Sequence, residues 1–127
     1  MLHKRVTMFF GLLALAMALL PGNVLADKSA VSIQAPSAVS RGSEGVVRVT
    51  VTHSANNFLH YTEWLYVKVN GKEIARWKYT SSERPEAETF TKEIKYTATD
   101  SMEIKAEASC NLHGSAGPQT VSVLAKD

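Results

Sequence analysis

Val46-Val47-Arg48-Val49-Thr50-Val51-Thr52 is the stretch on which the fold turns. Every residue in it except Arg48 is β-branched. Such side chains are stiff at χ1 and pack well on a pleated surface, so the stretch reads as a strand. Shorter runs of the same rhythm extend on both sides. Val31-Ser32-Ile33 precedes it, and His60 to Val69 follows, carrying Trp64, Leu65, Tyr66, Val67 and Val69. Asn70-Gly71 then gives a tight hairpin signal, and Ile74 to Tyr79 returns from it. Phe90 to Tyr96, Met102 to Ala108 and Thr120 to Leu124 complete the set. Neither a sustained helical period nor an internal repeat is visible. Seven short strands in about a hundred residues predict an all-β, immunoglobulin-like β-sandwich.

The first residues have a different character. Lys4 and Arg5 supply a positive start, and Val6 to Leu20 is apolar. Pro21-Gly22 breaks that run, and Val24-Leu25-Ala26 offers small residues for cleavage. The apolar run is about 15 residues, against the ~20 that a helix needs to cross a bilayer. Residues 1–26 are therefore expected to be a cleaved secretory signal. The expected product is one domain over residues 27–127, exported and periplasmic, with no stable membrane association after cleavage. Removing Lys4 and Arg5 from the 14 basic side chains leaves 12, against 12 acidic ones. A neutral domain has no electrostatic claim on nucleic acid or anionic lipid.

Beyond the leader, which contains His3, the histidines are His53, His60 and His113, and the single cysteine is Cys110. They fall in two clusters, His53 with His60 and Cys110-Asn111-Leu112-His113. One cysteine cannot form an internal disulfide, and metal ligation would protect an unpaired thiol in an oxidising compartment. In a sandwich of this kind the second–third and sixth–seventh loops lie at one end. Topology thus brings both clusters together, and imidazole and thiolate are borderline-to-soft metal ligands. Three readings of the residues stay open: a structural zinc, a cupredoxin-like copper electron-transfer site, and a redox iron. Blue copper ordinarily adds a weak axial ligand such as methionine; the corresponding place after His113 holds Pro118.

The text His53-Ser54-Ala55-Asn56-Asn57-Phe58-Leu59-His60-Tyr61-Thr62-Glu63-Trp64, joined to Cys110-Asn111-Leu112-His113-Gly114, resembles the superoxide reductases of the desulfoferrodoxin and neelaredoxin family. The resemblance runs roughly from Val31 to Val123. It implies an immunoglobulin-like sandwich holding one non-haem iron. His53, His60 and His113 would be in-plane ligands and Cys110 the axial thiolate, with the opposite side open to superoxide. The implied catalytic centre is Cys110, His60 and His113, reducing superoxide to hydrogen peroxide by one electron. An axial thiolate donates electron density to the metal, and the backbone N–H groups of Asn111 and Leu112 would tune the sulfur.

The family pattern also has a Glu-Lys-His-like stretch near the start of the domain. Its histidine is a fourth in-plane ligand, and its lysine attracts and protonates the oxygen species. Matched to Val31-Ser32-Ile33-Gln34-Ala35-Pro36, that stretch has neither residue. The chain then resembles a divergent member with a vacant in-plane position, for which Gln34, Asp27, a water molecule or the new N-terminal amine are candidates. Lys28 is the nearby substitute for the cation. No Cys-x-x-Cys pair accompanies the domain, so electrons are expected from a separate donor protein. A non-catalytic module of the same fold, of the sulfur-compound carrier type, is the remaining alternative. Trp64, Tyr66 and Trp77 read as core or edge packing, and Glu63 as a candidate orienting group.

Overall fold

The computed structural model describes residues 27–127; the export signal expected over residues 1–26 lies outside the described residues. Eight strands form: β1 (Ala30–Gln34), β2 (Ala38–Ser40), β3 (Glu44–Thr52), β4 (Thr62–Val69), β5 (Lys72–Lys78), β6 (Thr89–Thr97), β7 (Met102–Cys110) and β8 (Gln119–Lys126). They make a three-stranded sheet in the order β1-β3-β6 and a five-stranded sheet in the order β2-β8-β7-β4-β5. The pairings are antiparallel except that of β2 with β8. The expected sandwich is present, with one strand more than the sequence announced. β2 has three residues, too few to display a period, and exists because it can pair with β8.

The core follows from the alternation in β3. Val47, Val49 and Val51 point inward and are buried, as is Phe90 from β6. Facing them from the second sheet are Leu65 and Val67 of β4, Ile104, Ala106 and Ala108 of β7, and Val123 of β8. Each such aliphatic side chain larger than alanine contributes about 1.5–3 kcal/mol when fully removed from water. Trp64 and Tyr66 take the opposite face of β4. Their rings stack at 5.7 Å and 16°, under the guanidinium of Arg76 at 5.8 and 5.4 Å. Trp77 instead packs against the core. Among the described residues no helix is long and apolar enough to cross a membrane.

The hairpin between β4 and β5 forms as its text predicts. Asn70 and Gly71 have φ of 51° and 82°, the left-handed pair of a type I′ turn. The Asn70 side chain accepts from Glu103 N–H and donates to the Ser101 carbonyl, tying the hairpin to the start of β7. This end of the sandwich is remote from both His/Cys clusters.

Candidate metal centre

His53 follows the last residue of β3, and its N–H donates to the Glu88 carbonyl at 3.1 Å, just before β6. His60 lies in the loop ahead of β4, which starts at Thr62, and so does not open the strand as the sequence suggested. A small closed turn holds it: Asn57 and His60 exchange both backbone hydrogen bonds, at 2.9 and 3.2 Å. The Asn57 side-chain oxygen also accepts from Leu59 and His60 N–H, each at 3.0 Å. Asparagine suits such a turn because its short amide mimics the backbone.

Cys110 is the last residue of β7, and the chain doubles back at once. Cys110 and Gly114 exchange backbone hydrogen bonds at 2.9 and 3.1 Å. Gly114 has φ of 81°, which only a residue without Cβ adopts cheaply. Asn111 then laces the two ligand loops together. Its N–H donates to the Tyr61 carbonyl at 3.1 Å, its Oδ1 accepts from Tyr61 N–H at 2.9 Å, and its Nδ2 donates to the Leu59 carbonyl at 3.0 Å. Of the two amides expected near the sulfur, only Leu112 N–H points at Cys110 Sγ, at 3.4 Å. The Asn111 amide serves the clamp instead.

The four side chains meet at one end of the sandwich. His53 and His60 are edge-to-face with ring centroids 4.6 Å apart, and His60 and His113 are 5.0 Å apart. One donor atom from each of His53, His60 and Cys110 lies within 4.8 Å of the other two. Bonds of ~2.0–2.3 Å to one ion hold donor atoms no more than roughly 4.6 Å apart, so the trio is close to the spacing a single ion requires. His113 adjoins this trio through His60 but is not within the tight group; it sits on an exposed turn.

Two members of the trio are also dry, and His60 is half-buried. His53 is 5% exposed and Cys110 2%. Neither ring nitrogen of His53, nor Nε2 of His60, has a partner within hydrogen-bond geometry, although the Ala55 and Asp27 backbone lies near enough to the His53 ring to favour its charged form slightly. Buried polar atoms are ordinarily paired, and an orphan costs about 1–3 kcal/mol. Burial, followed by the neighbouring His60 ring, holds the His53 pKa below the usual histidine value. A neutral imidazole is the form that binds metal. Unpaired imidazole nitrogens beside a buried thiol are thus a donor set that fits a transition-metal ion.

The N-terminal stretch corrects the sequence reading. β1 pairs Ala30 with Thr52 and Gln34 with Arg48, so Gln34 lies at the far end of its strand and cannot reach the site. The segment that does reach it is Asp27-Lys28-Ser29. Ser29 N–H donates to the Gly114 carbonyl at 3.2 Å, and its own carbonyl accepts from Ala116 N–H at 2.9 Å. Asp-Lys-Ser directly before β1 has the order of Glu-Lys-His, with serine third. Lys28, the substitute cation named from the sequence, lies in this segment and is exposed. Ser29 is fully buried, and its hydroxyl is 2.7 Å from that of Thr62. No side-chain hydrogen bond joins Glu63 to the four clustered residues among the described residues; its carbonyl takes Tyr79 N–H.

The family model for desulfoferrodoxin matches residues 23–115, well over half of the chain. Solved structures with the same architecture include a superoxide reductase (neelaredoxin) from Ignicoccus hospitalis, at 23% identity and a TM-score of 0.62, covering 78% of this chain and 82% of that one. A putative superoxide reductase from Thermotoga maritima follows at 19% identity and a TM-score of 0.57, covering 77% and 86%. Fibronectin(III)-like modules from Clostridium thermocellum also match, at 20% identity and a TM-score of 0.53, covering 78% of this chain and 47% of that one. At these identities the likeness is one of fold. No curated protein matches the chain.

Proposed function

The chain belongs to the desulfoferrodoxin family, and from that premise we propose that it is a mononuclear non-haem iron protein that reduces superoxide to hydrogen peroxide. The observation that carries this reading is the convergence of unpaired imidazole nitrogens from His53 and His60 on the buried sulfur of Cys110. His53, His60 and His113 would hold the ion through nitrogen and Cys110 through sulfur. Bound iron would supply a reversible one-electron couple at neutral pH. Everything else falls to the polypeptide. Leu112 N–H, aimed at the Cys110 sulfur, withdraws charge from the thiolate and moderates its donation. Asn111 keeps the two ligand loops in register. Lys28, exposed beside the site, would draw in an anion and assist its protonation. Ser29 has its hydroxyl already committed to Thr62, so it would not join His53, His60, His113 and Cys110 in holding the ion.

Electrons would come from a separate donor protein. Residues 1–26 would direct the chain out of the cytoplasm, to the periplasm, and be removed. That part of the proposal rests on the charged start, apolar run and small residues read from the sequence.

The test is metal analysis with an absorption spectrum, followed by rapid mixing with superoxide. One iron per chain, an Fe(III)–thiolate band in the red and fast oxidation of the ferrous protein are expected. An intense blue Cu(II)–thiolate band would establish the copper reading instead, and a ferrous centre inert to superoxide would reject the reductase. Cys110→Ser should abolish the thiolate band; since Cys110 is the single cysteine, a surviving band is not a thiolate band and rejects sulfur ligation.

A further inference from the structure

Trp64 and Tyr66, the stacked pair on the outer face of β4, lie parallel at 5.7 Å. An outer face usually leaves such rings wet, yet Tyr66 is only 8% exposed. Two cations cover it: Lys68 Nζ lies 5.0 Å from the ring centroid and the Arg76 guanidinium 5.4 Å. Glu73 fixes that guanidinium through contacts of 2.8 and 2.7 Å. The Tyr66 hydroxyl donates to Glu107 on the neighbouring β7, at 2.8 Å. Burial, then this carboxylate, holds the Tyr66 pKa above the usual tyrosine value, so the hydroxyl keeps its proton at neutral pH. Tyr79 makes the contrast, because its buried hydroxyl has no acceptor.

Strand register ties the pair to the metal end. Thr62 stands opposite Cys110, and Trp64 opposite Ser109, the residue before it. From Thr62 to Tyr66 is about 14 Å by the rise of an extended strand, and Trp64 divides that span in two. Indole and phenol, with thiol sulfur, are the side chains most easily oxidised by one electron. Electrostatics then set a direction. An electron lost from Trp64 leaves a radical cation beneath the Arg76 guanidinium, which like charge disfavours. When the electron comes from Tyr66 the ring stays neutral, because its hydroxyl proton moves to the Glu107 carboxylate.

We propose that Trp64, Tyr66 and Glu107 form a relay that draws an oxidising equivalent away from Cys110, the oxidant being hydrogen peroxide that meets the reduced metal centre. The relay rests on the iron reading above for its oxidant, whereas the three side chains need no metal. Reduction of one peroxide to two waters takes two electrons and two protons. One electron comes from the ferrous ion and the other from Tyr66, through Trp64. Solvent supplies both protons, while the proton of the tyrosine stays on Glu107. Ascorbate or a similar one-electron donor, with return of that proton, restores the phenol. Without the relay the second electron comes from the Cys110 sulfur, and this chain has no second cysteine to resolve an oxidised one.

The test begins with the full chain carrying zinc, a redox-inert ion, in a Trp77→Phe background that leaves Trp64 as the one tryptophan. Azide radicals from pulse radiolysis oxidise the indole. Its radical absorption should pass to a tyrosyl one within the molecule, at a rate independent of protein concentration. Tyr66→Phe should abolish this fast phase, and Tyr96→Phe should leave it unchanged. Glu107→Gln should slow it by about a hundredfold, the low end for a positioned proton acceptor. A fast phase that survives both Tyr66→Phe and Glu107→Gln overturns the relay, whatever the native metal. The iron-loaded protein is then mixed with hydrogen peroxide and frozen for electron paramagnetic resonance. A tyrosyl radical is expected in the parent and not in Tyr66→Phe, in which mass spectrometry should find Cys110 oxidised several-fold faster. Equal loss of the sulfur in both rejects the protective role even where the iron centre is intact.

Discussion

The two ends of the sandwich treat their polar groups in opposite ways. At the end remote from the site, Arg41 donates to Asp127, to the Thr99 carbonyl and to Asp100, at 2.6, 2.8 and 3.3 Å. Asn70 satisfies both ends of its amide on the backbone at the start of β7. At the other end, five buried side-chain atoms have no partner: both ring nitrogens of His53, Nε2 of His60, Oδ1 of Asn56 and the Tyr79 hydroxyl. Those are all the buried unpaired side-chain nitrogen and oxygen atoms among the described residues. Burial, with Glu86 nearby, also pushes the Tyr79 pKa up to about 12. A fold optimised only for stability would pair these atoms or replace them. Three of the five belong to the imidazoles proposed to hold metal, so the contrast separates a structural end from a functional one.

That contrast has measurable consequences. The largest is the gain on metal binding. At a hundredfold excess over Kd, zinc or ferrous ion should stabilise the folded chain by about 2.7 kcal/mol. Thermal melting with and without metal measures it, and an unchanged midpoint would make the site end merely a defect. Asn111→Ala removes two side-chain hydrogen bonds that join the ligand loops. It should cost about 1–3 kcal/mol, allowing ~1 kcal/mol per bond and more for the groups left unpaired. Metal affinity should fall by roughly 10–100-fold, as for other groups that orient ligands. Chemical denaturation and a competitive chelator titration report the two effects separately.

His53→Leu sharpens the comparison because its two effects have opposite signs. Two unpaired buried nitrogens vanish, so the metal-free variant should be more stable than the parent by about 1 kcal/mol. Its metal binding should collapse. A destabilised metal-free variant would show that the His53 ring is held by interactions other than a metal. Arg41→Gln is the control at the other end. Its ion pairs are exposed, with Asp100 and Asp127 side chains 85% and 92% accessible. The loss should be under about 1 kcal/mol, with metal affinity unchanged.

Much of the fold was legible from local text. Val46 to Thr52 announced a strand, and residues 44–52 form one; Asn70-Gly71 announced a turn that both φ angles bear out. These succeed because side-chain stiffness and backbone sterics act within a few residues. β2 was not legible, since three residues have no period and its pairing lies with β8. His60 was placed on a strand, whereas Asn57 closes a turn around it. The inward and outward sides of β4 also needed the second sheet, which turned Trp64 and Tyr66 out and Leu65 in.

By itself the sequence determined the sandwich class, the identity of the candidate ligands and the end at which they gather, because alternation and strand order are consequences of chain chemistry alone. Only the tertiary structure decided that Asp27-Lys28-Ser29 reaches the site and Gln34 does not, since that depends on the register of β1 against β3. It alone decided that Ser29 is tied to Thr62 and that the imidazole nitrogens are unpaired. Hydrogen bonding across sheets and exclusion of water arise between segments distant along the chain, and no local pattern records them.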